Sequence, residues 1–250
     1  MRPCLLLMLS LLSILFPACK NSKNGTCGPE ATGGKGADAP HSGANIPAPR
    51  TKSGAPKGAK ESAMSHKEIV LEIIHRRKSV RHYLKKPVPR AWLERLVRAG
   101  MAAPTAVNKQ PWAFIVITKR ATLDALGEKL PYAKMIKQTP AAIVVAGDLS
   151  RALPGKMLEF WIQDVSAAVE NILLAAEAMG LGAVWTGVYP MEPQLKAVNE
   201  VLSLPKHIIH FAVIPIGWPD GSDKPKNKWD PQKLHWEAWG ENNKPSLLSP

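Results

Sequence analysis

From about residue 66 onward, hydrophobic residues recur at the spacing that places them on one face of a helix. Ser65 and Glu68 form the S-x-x-E pattern of a helix start, and Ile69, Ile73 and Ile74 follow on one helix face. The same reading predicts further helices over residues 87–98, 121–130, 163–179 and 192–202. The helix over 163–179 is the longest and carries a broad alanine-rich apolar stripe, which predicts a central position in the domain.

Short apolar runs rich in β-branched residues lie between these helices and predict buried strands. They cover residues 113–117, 141–148, 183–188 and 208–219. A chain of 250 residues that is 45% hydrophobic can bury one sizeable core. We therefore expect one folded domain over residues 66–250.

A polar loop connects the second predicted helix to the first predicted strand. Thr105, Asn108 and Gln110 lie between two prolines, Pro104 and Pro111. Side-chain amides both donate and accept hydrogen bonds, so this loop suits a planar heterocycle. The alternative is a helix end followed by an ordinary turn.

A basic cluster follows the first predicted helix. Arg76, Arg77, Lys78, Ser79 and Arg81 place four cations and a hydroxyl close together. A phosphate would accept forked hydrogen bonds from arginine and one from serine. The alternative is a solvated basic surface.

Composition and motifs argue against nucleic-acid binding, metal binding and cysteine-based catalysis. The formal net charge is +13, but the chain has no nucleic-acid recognition motif, so no nucleic-acid partner is predicted. The cysteines are Cys4, Cys19 and Cys27, all before the folded domain, and the seven histidines show no ligand spacing. We expect neither a metal site nor a cysteine nucleophile.

The first 19 residues have the outline of a bacterial signal peptide, with a short apolar run before Cys19. Residues 16–19, Phe-Pro-Ala-Cys, resemble a lipobox, although Phe16 and Pro17 depart from its usual residues. Lipidation of Cys19, ordinary secretion and an uncleaved anchor remain open. Residues 20–65 are rich in Gly, Pro, Ser and Lys, which predicts a flexible tether.

Two lid segments and the C-terminal tail are candidates for contacts with a ligand or with another surface. Residues 131–140 and 149–161 are loosely assigned as lid segments, and the first of them is alternatively a plain connection. Trp229, Trp236 and Trp239 lie in a basic tail with little periodicity. Side chains of this size are expected to cover another surface.

The ordered motifs from His66 to Trp239 resemble the nitroreductase superfamily of FMN-dependent oxidoreductases. The R-R-S-x-R cluster is matched with Lys78 in its second position, and P-S-x-x-N-x-Q-P-W is matched with Thr105 in place of serine. The long helix leads into G-L-G and W-x-G at residues 180–187, and I-P-I-G-W-P at 214–219 precedes Lys226 and Lys228.

The resemblance implies an α+β fold, a three-layer sandwich in which helices flank a mixed, mostly antiparallel sheet. It further implies an entwined homodimer that binds two FMN molecules at the subunit interface, with each C-terminal tail embracing the partner. No side chain is assigned as a catalytic acid or base, because the chemistry resides on FMN. The implied cofactor-binding residues are Arg77, Lys78, Ser79, Arg81, Pro104, Thr105, Asn108, Gln110, Thr186, Gly187, Lys226 and Lys228.

The activity implied is hydride transfer from NAD(P)H, through flavin N5, to a small acceptor such as a nitroaromatic or a quinone. The leader predicts a cell-envelope location, lipid-anchored or periplasmic, where NAD(P)H is not expected; a cytoplasmic location stays open. The alternative function is therefore a membrane-tethered flavin protein that relays electrons and is not reduced by NAD(P)H. A structural lipoprotein without flavin is the third hypothesis, against which the intact phosphate cluster argues.

Overall fold

A six-stranded sheet with helices on both faces is built from residues 65–239, the part of the chain that the computed structural model describes. The helices are α1 (His66–Arg76), α2 (Arg90–Met101), α3 (Arg120–Lys129), α4 (Phe160–Ala178) and α5 (Glu192–Leu202). The strands are β1 (Tyr83–Leu84), β2 (Trp112–Ile117), β3 (Ala141–Asp148), β4 (Gly182–Ala183), β5 (Thr186–Gly187) and β6 (Ile208–Pro219).

Strands β3 and β6 form the centre of the sheet. The strand order is β1-β6-β3-β2, with β4 and β5 also paired to β6, and every pairing among the described strands is antiparallel. Val213 of β6 faces Val144 of β3 on one side and Thr186 of β5 on the other. Strand β5 therefore lies on the edge of β6 that faces away from β3.

Alternation along β3 produces two hydrophobic cores, one on each face of the sheet. Ile143 and Val145 pack with α2 and α4, whereas Ala142 and Val144 pack with α3 and α5. This is the pattern expected when both faces of a strand are covered. The predicted α+β sandwich, with a mostly antiparallel sheet between helical layers, is confirmed.

The start of α1 and the long apolar stripe are placed as the sequence predicts. The capping box of α1 is formed in both directions: the Ser65 N–H donates to Glu68 at 2.7 Å and the Glu68 N–H donates to the Ser65 hydroxyl at 3.4 Å. The stripe of α4 is fully buried at Val165, Ala168 and Ile172. In contrast, α1 has no buried residue, so its apolar face lies on the surface of the chain.

Several local predictions differ from the structure, and the long helix spans Phe160–Ala178 rather than residues 163–179. The strand expected over 183–188 is divided into β4 and β5, because two separate places on β6 bind it. The second helix begins at Arg90 rather than residue 87, since Pro89 is its extended N-cap. Strand β1 was not predicted, because two residues are too few for a periodic signal.

The first predicted lid segment packs into the molecule. Residues 131–140 contain the 3₁₀ turn Lys134–Gln138, whose Ile136 is fully buried against α3. This placement fits the alternative interpretation, a connection. The second segment, 149–161, contains the 3₁₀ turn Gly155–Met157 and the first residues of α4.

The predicted leader (1–19) and nearly all of the predicted tether (20–65) lie outside the described residues, as does the end of the tail. Signal cleavage and lipidation of Cys19 stay predictions. Mass spectrometry of the N-terminal peptide of the mature protein would test both. No helix within residues 65–239 is long and apolar enough to cross a membrane. Nor does this part of the chain contain a group of three or more His, Cys, Asp and Glu side chains placed to hold a metal ion.

His210 on β6 is a buried histidine that makes stability depend on pH. It is 4% exposed, and its Nδ1 has no hydrogen-bond partner among the described residues. Burial lowers the pKa of His210, and a hydrogen bond to the backbone of Leu195 offsets this only in part. The unfolded chain therefore takes up a proton at a higher pH than the folded chain does.

We expect the free energy of unfolding to fall as pH drops below about 6.5, by at most about 1.4 kcal/mol per pH unit from this group. Urea unfolding between pH 8 and pH 5 measures the slope. The His210→Gln variant is expected to have a flatter profile than the wild type. Equal slopes for the wild type and His210→Gln would contradict the assignment.

Candidate functional site

The basic segment that follows α1 is held in an extended conformation along β4. Helix α1 stops because its C-cap, Arg77, adopts ψ 133, far from helical values. The Val80 N–H then donates to the Ala183 carbonyl at 3.0 Å, and the Val80 side chain is buried. With Val80 pointing inward, its neighbours Ser79 and Arg81 point outward, as alternation in extended chain requires.

Two glutamates on α4 pair with this segment. Arg77 Nε lies 3.1 Å from Glu170, and Lys78 Nζ lies 3.0 Å from Glu177. The Lys78 pair is the more buried, with side chains 18% and 11% exposed. These pairs hold both cations beside α4, and Lys78 is the more fully engaged of the two.

A cavity of about 490 Å³ collects the predicted phosphate-binding residues. Its walls are the basic segment and the loop that follows β6. The predicted residues that line it are Arg77, Lys78, Ser79, Arg81, Lys226 and Lys228. Within residues 65–239, Arg81, Lys226 and Lys228 form no ion pair. Their charges are directed at the cavity and solvent, which is the donor set that an anion prefers.

A second cavity of about 650 Å³ shares Arg77, Lys226 and Lys228 with the first. Ile74 and the exposed Trp229 complete its wall together with other residues. The same cations therefore border two adjoining spaces.

The polar loop between α2 and β2 is backbone-strained. Val107, Asn108 and Gln110 have φ of 51, 52 and 50 degrees, in the left-handed region that disfavours side chains. The Gln110 N–H donates to the Thr105 hydroxyl at 3.1 Å, and its side-chain amide donates to Asn108 Oδ1 at 2.9 Å. Strain of this kind costs about 1–3 kcal/mol per residue and is concentrated at functional sites.

Asp164 anchors this loop and was missed by the sequence analysis. The Ala106 N–H donates to Asp164 Oδ1 at 2.8 Å, and Asp164 is 6% exposed on α4. The available signal was a single carboxylate next to the apolar stripe of that helix. A buried acid usually has a specific partner, and here the partner is a loop amide.

Strand β5 presents the third group of predicted residues. The Thr186 hydroxyl is buried and donates to the Val213 carbonyl. Gly187 is exposed, and a Cβ at this position would meet no atom within 4 Å. Its backbone therefore faces open space that a flat ligand can approach closely.

The structure brings some of these residues together and keeps others apart. The basic segment runs along β4, and β4 and β5 pair with neighbouring stretches of β6, whereas the polar loop lies near the start of α4. Asp164, which holds the loop, and Glu177, which holds Lys78, are about 20 Å apart along the helix axis. Within residues 65–239 of one chain, no hydrogen bond or ion pair joins the loop to the basic cavity.

Pro104, Asn108 and Gln110 are exposed in one chain, and Thr105 is half-buried. The loop thus presents its amides outward, away from its own core. Their role as cofactor ligands stays a prediction, as does that of the residues in the basic cavity.

Together, the sandwich, the basic cavity and the open strand edge define an α+β domain with a surface suited to an anionic ligand. The chain matches the family described as "Nitroreductase family" over residues 74–131 and 126–218, and it belongs to this family. A protein of Methanothermobacter thermautotrophicus, provisionally named NADH dehydrogenase/NAD(P)H nitroreductase, is 43% identical over 171 residues. That match covers 68% of this chain and 87% of the relative.

Solved structures extend the comparison. A provisionally named NADH dehydrogenase/NAD(P)H nitroreductase from Parabacteroides distasonis is 47% identical, with a TM-score of 0.65 over 68% of this chain and 99% of that one. A provisionally named nitroreductase from Desulfovibrio desulfuricans, solved in complex with FMN, is 28% identical, with a TM-score of 0.59 over 68% and 97% of the two chains.

Proposed function

We propose that this protein is an FMN-dependent oxidoreductase that takes reducing equivalents from NAD(P)H and passes them to a small acceptor such as a nitroaromatic or a quinone. The observation that carries the proposal is the basic cavity, which combines arginine, lysine and serine donors. Gly187, whose backbone faces open space, lies on β5, a neighbouring strand that pairs with the same β6. The names of the relatives support the same donor and cofactor.

The cavity fits the phosphate end of FMN. Arg77 and Arg81 supply planar guanidinium groups, which bind phosphate oxygens in pairs. Ser79 supplies a hydroxyl, and Lys226 and Lys228 add positive charge from the opposite wall. Lys78 contributes to the field of the cavity, while its ammonium group stays paired with Glu177.

The remaining predicted residues fit the ring end. When bound, FMN supplies hydride transfer at its N5 atom. Gly187 leaves room for close approach of a ring to the strand, and Thr186 fixes that strand by its bond to Val213. Thr105, Asn108 and Gln110, together with Pro104, offer hydroxyl and amide groups to the edge of a heterocycle. These side chains bind and orient; none is assigned a proton-transfer role.

A homodimer is the second part of the proposal. Three features of the single chain support it: the apolar face of α1 is exposed, the tail tryptophans are exposed, and the polar loop is remote from the basic cavity. A second copy that covers α1 would bury apolar surface and bring its own polar loop to the first copy's cavity. Each site would then be built from both chains.

A second function is favoured by one observation, the apolar run before Cys19. A protein tethered outside the cytoplasm would receive electrons from a membrane partner instead of NAD(P)H. The polypeptide would bind FMN with the same residues, so the two functions differ in the donor alone.

Absorbance spectra of residues 66–250 test the proposal and separate the two functions. We expect the purified protein to carry a flavin band that bleaches when NADPH or NADH is added without oxygen. A flavin band that neither nucleotide bleaches, but dithionite does, would identify the relay. Absence of flavin, even after FMN is added, would overturn the cofactor assignment.

A further inference from the structure

Asp223 is a carboxylate in the wall of a cavity that otherwise collects cations. Of the described residues that line the basic cavity, it is the one acid. A negative charge at this place opposes an incoming anion by Coulomb's law. Its presence therefore needs a physical explanation.

The explanation lies in the hydrogen bonds that Asp223 accepts. Its Oδ2 accepts the backbone N–H of Arg81 at 2.8 Å and that of His82 at 3.2 Å, and His82 Nδ1 lies 3.3 Å away. Arg81 and Asp223 are 142 residues apart in the sequence. One carboxylate oxygen thus joins the two walls of the cavity.

The charge of Asp223 is directed at these amides. Its side chain is 17% exposed, and burial alone would raise its pKa. The N–H groups of Arg81 and His82, with the His82 ring, more than offset burial and hold the pKa below its ordinary value. Asp223 is therefore ionised at neutral pH, and its charge is largely compensated by donors inside the protein.

The two walls differ in how firmly they are otherwise held. The first is fixed to the sheet: the buried Tyr83 hydroxyl donates to the Val80 carbonyl at 2.5 Å, and Val80 donates to Ala183 at 3.0 Å. In the second wall, Lys226 and Lys228 make no hydrogen bond or ion pair within residues 65–239. Besides Asp223, a longer bond of 3.3 Å from the Asp220 N–H to the His82 carbonyl joins the walls, next to the pairing of β1 with the end of β6.

We infer that Asp223 is a positioning residue that holds the Lys226–Lys228 wall against the Arg77–Arg81 wall and so forms the phosphate end of the cofactor site. The inference rests on the proposed function, because it takes the anion to be the FMN phosphate. Coulomb's law alone predicts that removing this negative charge tightens binding of the anion. The positioning role predicts that removing it weakens binding.

The test compares FMN with riboflavin, which lacks the phosphate, on the flavin-free full chain. The dissociation constant of riboflavin divided by that of FMN measures how much the phosphate end of the site contributes to binding. We expect Asp223→Ala to reduce this ratio about tenfold, the equivalent of one charge-assisted hydrogen bond, with riboflavin binding unchanged. Asp223→Asn should recover much of the loss, because its amide oxygen still accepts from the two N–H groups.

Asp124→Ala is the matched control. It makes the same substitution at an acid that pairs with Arg120 on α3 and does not line the basic cavity. We expect Asp124→Ala to leave the binding of both FMN and riboflavin unchanged. Tighter FMN binding by Asp223→Ala, or an equal loss of FMN and riboflavin, would overturn the positioning role.

A second measurement keeps the inference separate from the proposed function. If the wild type binds neither flavin, the cofactor assignment fails, and hydrogen exchange at the Arg81 and His82 amides still reports on Asp223. Faster exchange of these amides in Asp223→Ala than in the wild type supports the link between the walls. Unchanged exchange overturns it.

Discussion

Replacement of Arg77 by glutamate is expected to abolish retention of FMN. Arg77 borders both cavities, its side chain is 19% exposed, and its Nε lies 3.1 Å from Glu170. A glutamate there would face Glu170 and repel the phosphate. Each charge-assisted hydrogen bond that is lost is worth about 1.5–3 kcal/mol, so we expect at least about a 100-fold weaker affinity.

Fluorescence titration of the flavin-free protein with FMN measures the effect. Arg90→Glu is the matched control, since it makes the same charge change at a side chain that is 92% exposed on α2 and pairs with Glu94. Circular dichroism establishes that both variants are folded. An Arg77→Glu protein that is purified yellow, with wild-type affinity, would remove Arg77 from the site.

A charge on the exposed face of α1 is expected to dissociate the homodimer. Val70, Leu71 and Ile74 are 57%, 56% and 45% exposed in the single chain. If a second copy covers them, Leu71→Glu would bury a carboxylate without a partner. We expect the dimer dissociation constant to rise by about 100-fold or more, which corresponds to about 2.7 kcal/mol.

Light scattering after size-exclusion chromatography measures the molar mass of both proteins at the same concentration. Tyr132→Glu is the control, because Tyr132 is 83% exposed outside α1. FMN retention should fall together with the dimer in Leu71→Glu, since each site is proposed to use both chains. A wild type that is monomeric at micromolar concentration would contradict the dimer, and an unaffected Leu71→Glu dimer would exclude α1 from the interface.

Periodicity was sufficient to identify the five helices and the strands β2, β3 and β6. The bounds of β3, α5 and β6 are those predicted, whereas α4 begins at Phe160 rather than at residue 163. It failed for β1 and for the β4–β5 division, which are set by pairing to β6 and not by the local sequence.

The grouping of the basic residues was predictable from the sequence, but the construction of the candidate site was not. Motif order identified the basic segment and the later lysines, and the structure places them on one cavity. The backbone of Val107, Asn108 and Gln110 was not predictable, since none is a glycine. Asp164 and Asp223 act through contacts distant in sequence, which no local pattern records.

The helices of the sandwich differ in whether they lie next to predicted ligand residues. All the predicted ligand residues lie on the segments around α1, α2, β5 and the loop after β6, and none lies on α3 or α5. Those two helices nevertheless bury one whole face of β3. Fluorescent labels, immobilisation tags and surface-charge redesign therefore belong on the outward faces of α3 and α5, which carry none of the predicted ligand residues.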